Sequence, residues 1–279
     1  MNTFRKSHTQ RSVSPDVYDN ESLSDLRGYR EFQTGAFHDL FYRSVQLAEP
    51  LEGKTTLDIG CGRGEAVFLC AQRGCCAYGI DYSETAIAMA NEFIRKNLDD
   101  EVRDRIVVQR MDAKRLSFND GTFDAVFMVD VVEHLYPDEL RLVLGEIARV
   151  LKPDGTLIIH TSPNKYLMAA ARTIAHLFGV TMKSDATHVN EQSVTSLKSV
   201  LRGAYAIQRI WIEKDRNFWS QCTVERSAAV RFVARLVDFI VDNPFSEYLI
   251  KRSFLKFYVG NNIWAIARKE QNTVRPSCA

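Results

Sequence analysis

The stretch Thr55–Glu65 reads TTLDIGCGRGE, and it decides the fold. A short apolar run ends at glycines spaced Gly-x-Gly-x-Gly, and apolar residues that can begin a helix follow. Strand, glycine turn and helix form the first unit of a doubly wound α/β fold. Because glycine has no Cβ, its backbone can turn tightly and lie directly against a ligand. The third glycine comes one place too early for a dinucleotide fingerprint, which would have it at Glu65.

The composition is that of an ordinary globular protein. The 279 residues suit one elaborated α/β domain, or one domain with a modest addition. The apolar fraction of 46% and the charged fraction of 25% are typical, and the net charge of +1 does not argue for nucleic acid. None of the six cysteines forms a Cys-x-x-Cys pair, so we expect reduced thiols in a cytoplasmic protein and no metal site. No apolar run reaches the length of a membrane span, and we expect no stable membrane insertion.

Strand and helix signals alternate along the middle of the chain. Ser83, for example, is a good N-cap for the helix predicted to begin at residue 84. Such alternation is typical of a parallel sheet with helices on both faces. A turn is predicted at 153–155, where Pro-Asp-Gly stands. The predicted strands cover residues 56–59, 76–81, 106–110, 123–129, 156–160, 206–212 and 262–268.

Acidic residues follow successive strands at the edge where such folds bind ligands. Asp81 ends the second strand about twenty residues after the glycine turn, where an acid can accept both hydroxyls of a ribose. Asp112 follows the third strand, where a carboxylate can accept from an adenine amino group, and Asp130 follows the fourth. Each acid alone could be a helix cap, a turn former or a solvated charge. Their joint placement indicates one ligand site.

Taken together, these motifs resemble those of the class I S-adenosylmethionine-dependent methyltransferases. The nearest subgroup is that of the ubiquinone- and natural-product-type small-molecule enzymes. As a set the motifs are specific for cofactor binding and weakly specific for substrate; the glycine turn alone leaves a nucleotide-binding or purely structural turn as alternatives. The match covers roughly residues 50–215 and the closing strand. It rests on LDIGCGRG at 57–64, GID at 79–81, MDA at 111–113, FDAV through EHL at 123–135 and RVLKPDG at 149–155.

The resemblance implies S-adenosylmethionine as cofactor and a role for each matching residue. The glycine turn would hold the methionine portion, with an acid supporting its amino group. Residues after the second strand would hold the ribose, and those after the third would hold the adenine. The backbone after the fourth strand would border the sulfonium. The implied cofactor-binding residues are Asp58, Gly60, Gly62, Asp81, Tyr82, Asp112, Ala113 and Asp130.

Two histidines are candidates for a general base. His134 lies just beyond the fourth strand, and His188 lies in a loop after the fifth. Histidine titrates near working pH, which suits a proton acceptor. For His134 a structural hydrogen bond at the helix entry is the favoured alternative. For His188 the two roles weigh equally, since similar enzymes often carry a histidine before this helix. His160, at the end of the fifth strand, is expected to be structural.

The predicted fold class is a Rossmann-like, doubly wound seven-stranded sheet whose last strand is antiparallel. The methyltransferase domain would cover residues 26–269, between tails at 1–25 and 270–279 that we expect to have little order. Before the final strand lies a helical insertion at about 223–258. Its apolar side chains could pack on the sheet or pair with a second subunit, form a lid over an acceptor pocket, or touch a membrane. Tyr29 or Phe32, in an N-terminal helix, could pack or touch the cofactor.

The predicted activity is methyl transfer to an oxygen or nitrogen of a small or medium-sized organic molecule. A protein or RNA methyltransferase is the enzymatic alternative, and a non-catalytic S-adenosylmethionine-binding scaffold is the other. RNA is disfavoured by the near-neutral charge and by DVVE at 130–133, where an Asn-Pro-Pro-Tyr-type motif would stand. The expected partners are a small-molecule acceptor and, through the insertion, a second subunit.

Overall fold

The protein is described here from a computed structural model. The structure describes residues 12–19, 23, 32, 34–177, 187–214, 235, 238–239, 242–254, 256 and 260–270. Tyr29 and many residues of the predicted insertion at about 223–258, Phe257 and Tyr258 among them, lie outside those residues.

Seven strands form one mixed sheet in the order β3-β2-β1-β4-β5-β7-β6. Strands β1 to β5 pair in parallel, and β7 runs antiparallel between β5 and β6. This architecture confirms the predicted doubly wound sheet with an antiparallel last strand. The strand order reverses between β1 and β4, and a ligand crevice opens at such a reversal. The strands are β1 (Thr55–Ile59), β2 (Cys76–Asp81), β3 (Ile106–Arg110), β4 (Phe123–Val129), β5 (Leu151–Thr161), β6 (Tyr205–Glu213) and β7 (Asn262–Lys269).

Helices connect the strands, with ends set by local capping. Ser83 caps α3 by accepting from Ala86 N at 3.2 Å, and Pro137 begins α5. In the described part of the chain, no helix is both long and apolar enough to cross a bilayer. The helices are α1 (Asp39–Gln46), α2 (Glu65–Gln72), α3 (Glu84–Asn97), α4 (Asp100–Arg103), α5 (Pro137–Val150), α6 (Lys165–Leu177), α7 (Val194–Leu201) and α8 (Pro244–Arg252), with 3-10 turns at Pro15–Val17 and Val132–His134.

The turn predicted at 153–155 is wrong, because these residues belong to β5. The β4–β5 register shifts between Phe123 and Ala125, and that irregularity accommodates Pro153 and Asp154 within the strand. Gly155 lies so close to β4 that an added Cβ would come 3.0 Å from the Phe123 carbonyl oxygen. Glycine is therefore used here for close backbone approach within a strand.

The sheet is buried on both faces, as a parallel sheet requires. Alternate residues of β4 point to opposite sides: Val126 and Met128 join one apolar cluster, and Phe127 joins the other. The first cluster includes Leu144 and other residues of α5, and the second includes Phe68 of α2. The central strands are thereby fixed, and their carboxyl ends meet at one edge of the sheet.

Candidate functional site

The glycine turn between β1 and α2 has one closed face and one open face. Gly60 and Gly62 both have positive φ, +68° and +51°. A Cβ on Gly60 would come 2.6 Å from Val131 Cγ2, so this glycine is required by packing against the loop after β4. A Cβ on Gly62 would meet nothing within 4 Å. The backbone at Gly62 therefore borders open space in which a ligand can lie against it.

Buried acids surround this turn. Asp58 on β1 is buried, and no hydrogen bond to its carboxylate occurs among the described residues. Burial raises the pKa of Asp58 well above its ordinary value, and the charges of Glu65 and Asp81 add to the rise. The one buried cation in the turn, Arg63, pairs with Glu65 at 2.6 Å and donates to Leu23 O. An additional cation beside Asp58 would relieve this surplus of negative charge.

Asp81, at the end of β2, is tied to the glycine turn. Its carboxylate accepts from Gly62 N at 3.0 Å and from Ser83 N at 2.8 Å. Burial raises the pKa of Asp81, although these backbone donors act to lower it. Each carboxylate oxygen keeps a second lone pair for a ligand hydroxyl. Tyr82 follows directly, and burial raises the pKa of its phenol.

Asp112, after β3, lies on the same edge but apart from the turn. Its Oδ1 accepts from Lys114 N at 2.9 Å, and its side chain is 57% exposed. Lys114 Nζ is 3.5 Å from Asp112 Oδ2 and 2.8 Å from Glu139 Oε1. Ala113 is half-buried beside it. The loop thus presents one carboxylate oxygen toward solvent at the end of β3.

Asp130, after β4, has φ +54°, and among the described residues it is the one non-glycine with positive φ. Its Oδ1 lies 2.7 Å from His160 Nδ1, and its backbone N–H donates to His160 O at 3.1 Å. Burial acts to raise the pKa of Asp130, but His160, with His134 and His188 nearby, outweighs it and lowers that pKa. His160, the last residue but one of β5, therefore holds the loop after β4 that packs against Gly60.

The structure brings the two candidate bases together. The rings of His134 and His188 lie 4.9 Å apart, edge to face, although 53 residues separate them. The loop that carries His188 is fixed to the turn that carries His134, because Asn190 N donates to Glu133 O at 3.0 Å. His134 Nδ1 lies 3.3 Å from Thr187 O. Both imidazoles therefore belong to one cluster just beyond β4.

Glu133 is the third, buried member of this cluster. It is 1% exposed, and its carboxylate accepts from Thr161 Oγ1 at 2.8 Å and Ser162 N at 3.3 Å. Burial raises the pKa of Glu133 well above its ordinary value, and the charge of Asp130 adds to the rise. One ligand atom each of Glu133, His134 and His188 lies within 4.8 Å of the others. A carboxylate and two imidazoles are a donor set that divalent metals accept, although the sequence predicts no metal site.

Tyr18 is a site residue that sequence reasoning missed. Its ring lies 5.8 Å from the Tyr82 ring and 5.8 Å from the His134 ring, edge-on to both. Ser83 Oγ donates to Tyr18 O at 3.0 Å, which fixes the backbone there. Tyr18 therefore links the end of β2 to the histidine cluster. The tail over 1–25 stays a prediction as a whole, but this part of it contacts the site.

Phe32, proposed as a cofactor contact or a packing residue, packs. It is buried, its ring stacks on Phe93 at 4.1 Å, and the Arg63 guanidinium lies 5.0 Å from its centroid. Through Arg63 it supports the glycine turn from the side of α2 and α3.

Residues 57–159 match a protein family described as a methyltransferase domain. A cypemycin N-terminal methyltransferase from a Streptomyces species is 28% identical over 213 residues, 73% of this chain and 80% of the relative. A ubiquinone biosynthesis O-methyltransferase from Pseudomonas paraeruginosa is 33% identical over 156 residues, 53% of this chain and 64% of the relative. In several other curated relatives the chain covers only between 38% and 51% of the relative's length.

Among solved structures, the fold is similar to that of phosphoethanolamine N-methyltransferase 2 from Haemonchus contortus, in complex with phosphomonomethylethanolamine and S-adenosylhomocysteine. The TM-score is 0.61 at 18% identity, over 93% of this chain and 61% of that one, so the likeness concerns the fold alone. The family match includes the glycine turn, Asp81, Asp112 and Asp130. Residues 57–159 therefore form a methyltransferase domain, and the motifs that resemble those of the class I S-adenosylmethionine-dependent enzymes lie within it.

Proposed function

We propose that the protein transfers the methyl group of S-adenosylmethionine to an oxygen or nitrogen of a small or medium-sized organic molecule. The observation that carries this proposal is the open face at Gly62 between a buried acid, Asp58, and a half-buried one, Asp81. S-adenosylmethionine is cationic at its sulfonium and its ammonium. The turn has three acids, Asp58, Glu65 and Asp81, and one buried cation, Arg63. A cationic ligand that lies against the Gly62 backbone would balance this excess of negative charge.

The chain's own residues suit the parts of this cofactor. Asp58 lacks a hydrogen-bond donor among the described residues, so its carboxylate can take the ammonium of the methionine portion. Asp81 would accept the ribose hydroxyls with the lone pairs that its backbone donors leave free. Asp112, with Ala113, would hold the adenine, and the Asp130 backbone would border the sulfonium. Tyr82 would lie beside the ribose.

S-adenosylmethionine supplies a methyl group already activated for in-line displacement. The protein's task is then to hold the acceptor atom in line, and positioning can contribute roughly 7–11 kcal/mol. If the acceptor carries a proton, His188 or His134 takes it onto a ring nitrogen. Such a base contributes about 10²–10⁴-fold. Asp130, kept ionised beside these rings, favours the protonated imidazole that results.

Relatives support an oxygen or nitrogen acceptor without choosing between them. One is called an O-methyltransferase of ubiquinone biosynthesis, and the other an N-terminal methyltransferase of cypemycin. A protein or RNA methyltransferase stays the alternative, with RNA disfavoured by the net charge of +1. A binding scaffold would hold the cofactor and transfer nothing.

Calorimetry with S-adenosylmethionine tests the cofactor. Asp81→Ala should weaken binding by about one to two orders of magnitude, because a charge-assisted hydrogen bond contributes roughly 1.5–3 kcal/mol. The control is Asp120→Ala, since Asp120 is an exposed acid paired with Arg149 away from the turn. Urea unfolding of both variants checks that the turn survives. An unchanged dissociation constant in Asp81→Ala, or wild-type preference for a nicotinamide dinucleotide, would sink the assignment.

The release of S-adenosylhomocysteine with a panel of phenol, catechol and amine acceptors tests the base. With a hydroxyl acceptor, His188→Ala or His134→Ala should lower kcat by about 10²–10⁴-fold at unchanged cofactor affinity. A chelator should leave wild-type turnover intact, since this mechanism uses no metal. Loss of activity in chelator, restored by Zn²⁺, would instead favour the Glu133–His134–His188 cluster as a metal site. No turnover with any acceptor would favour the scaffold.

A further inference from the structure

The insertion before β7 exposes an unusual amount of apolar surface. Half of the large hydrophobic side chains that are exposed in the described part of the chain lie between residues 239 and 254. Their exposure shows that they do not pack on the sheet, which was one reading of this segment. They are Phe239 (73% exposed), Phe245 (71%), Tyr248 (53%), Leu249 (48%) and Phe254 (72%).

Helix α8 presents several of these side chains on one face. Phe245, Tyr248 and Leu249 stand at positions i, i+3 and i+4, and Arg252 follows at i+7. The Arg252 guanidinium lies 4.6 Å from the Tyr248 ring centroid and donates to the Tyr248 hydroxyl. Asn243 caps the helix by accepting from Phe245 N and from Ser246 N, each at 3.0 Å. The exposed face is thus held on a well-capped helix and ends in a cation.

The described charged residues of the segment 235–254 differ in exposure according to their sign. Asp238 is buried, and Asp242 is paired with Lys214, so both acids are withdrawn from the surface. Arg235 and Arg252 are exposed. In the sequence alone, basic and acidic residues are mixed along the segment, which makes membrane contact the weakest of the three interpretations. Among the described side chains of this segment, however, those that are exposed are aromatic or aliphatic groups and arginines only.

The segment leaves and rejoins the sheet at the edge that carries the candidate site. Strands β5 and β6 both run antiparallel to β7, so they run parallel to each other, and β6 ends at the carboxyl edge. Asn261 N donates to Glu213 O at 2.9 Å, which closes the insertion at that point. A surface that docks through α8 is therefore attached to the same edge as the glycine turn.

We propose that the exposed face of α8, together with Phe239 and Phe254, docks on the surface of an anionic lipid bilayer. Aromatic rings sit well at the headgroup level, and exposed arginines are attracted to anionic headgroups. A symmetric contact between two copies would bring this cationic face against its own copy, and like charges oppose that contact. The proposal stands apart from the identity of the methyl acceptor.

Co-sedimentation of the full chain with vesicles tests the proposal. We expect binding to phosphatidylcholine vesicles that contain about one-third phosphatidylserine, with weaker binding to pure phosphatidylcholine and loss in high salt. Phe245→Ser with Leu249→Ser should reduce binding at least about tenfold, and so should Arg252→Glu. The matched control is Leu142→Ser, since Leu142 is 49% exposed on α5. Circular dichroism confirms that each variant keeps its fold.

Several results would overturn the proposal. The wild type would fail to sediment with the anionic vesicles, or the Phe245→Ser/Leu249→Ser variant would sediment as the wild type does. Equal binding to neutral and anionic vesicles would refute the role of Arg252. A dimer that becomes a monomer in the double variant, without lipid binding in either form, would assign the face to a second copy. Loss of cofactor affinity plays no part in this readout, so it is independent of the methyltransferase test.

Discussion

The two glycines of the turn have different roles: Gly60 packs against Val131, and Gly62 borders the open face. Alanine substitutions at the two positions distinguish these roles. At Gly60, φ is +68° and a new methyl would come 2.6 Å from Val131 Cγ2. At Gly62, φ is +51° and the methyl would meet nothing within 4 Å. Both alanines carry the strain of left-handed backbone, but only Gly60→Ala also collides with packed protein. Only Gly62→Ala fills the face on which we expect the cofactor.

The expected losses of stability follow from these contacts. Alanine in the left-handed region costs about 1–2 kcal/mol, and both variants should show that loss. Overpacking costs typically about 1–3 kcal/mol, so Gly60→Ala should lose about 2–5 kcal/mol in total. Val131→Ala in the Gly60→Ala background removes the colliding methyl and should recover most of the overpacking part. A domain with about 5–15 kcal/mol of stability tolerates Gly62→Ala throughout that range, and it tolerates Gly60→Ala where its stability exceeds about 5 kcal/mol.

Urea unfolding of Gly60→Ala, of Val131→Ala and of their double variant, read with the wild type as a double-mutant cycle, measures the overpacking loss, and Gly62→Ala measures the backbone strain alone. Calorimetry with S-adenosylmethionine measures the dissociation constant. We expect Gly62→Ala to raise that constant although the variant stays folded, because its new methyl fills the open face of the turn. The reasoning fails if Gly60→Ala is no less stable than Gly62→Ala. It also fails if Gly62→Ala binds the cofactor as tightly as the wild type.

Two further predictions concern the histidine cluster. Because the pKa of Glu133 is raised by burial, the folded chain keeps a proton that the unfolded chain loses, and the free energy of unfolding falls as pH rises above the ordinary glutamate pKa. In Glu133→Gln, the urea midpoint should fall less steeply than in the wild type as pH rises above the ordinary glutamate pKa, and a decline parallel to that of the wild type would contradict the buried proton. Tyr18→Ala removes ring contacts worth about 0.5–1.5 kcal/mol each and should raise KM for S-adenosylmethionine several-fold, while Tyr18→Phe keeps them. An unchanged KM in Tyr18→Ala would exclude the Tyr82–Tyr18–His134 contact from the working site.

The central strands could be read from sequence because they are buried on both faces. Apolar runs interrupted by Asp58 in β1 and by Asp124 in β4 mark these strands, and glycine or acid at their ends marks the carboxyl edge. The start of β5 could not be predicted, because the sequence Pro153-Asp154-Gly155 is typical of a turn. Pairing of β5 with β4 near Phe123 overrides that local preference. Local propensity thus loses to tertiary pairing at that position.

Some residues of the candidate site could likewise be predicted from the sequence, and others could not. The acids after β2, β3 and β4 are predictable, since parallel strands bring their ends to one edge whatever the loops do. Tyr18 is not, because a lone tyrosine in a polar segment carries no local signal of a contact with His134. The pairing of His134 with His188 likewise depends on a backbone hydrogen bond from Asn190 to Glu133 that spacing does not reveal.

The double attachment of Asp81 limits how this site can change. One carboxylate fixes the amide of Gly62 and offers its remaining lone pairs to a ligand, so the shape of the turn exists before any ligand arrives. Binding then does not have to order the loop, and the affinity is spared that entropic loss. With Asp81 accepting the ribose hydroxyls, as we propose, the nucleotide preference could not be redesigned at Asp81 alone. A replacement chosen for a different sugar must also supply an acceptor for Gly62 N, or the turn has to be rebuilt with it.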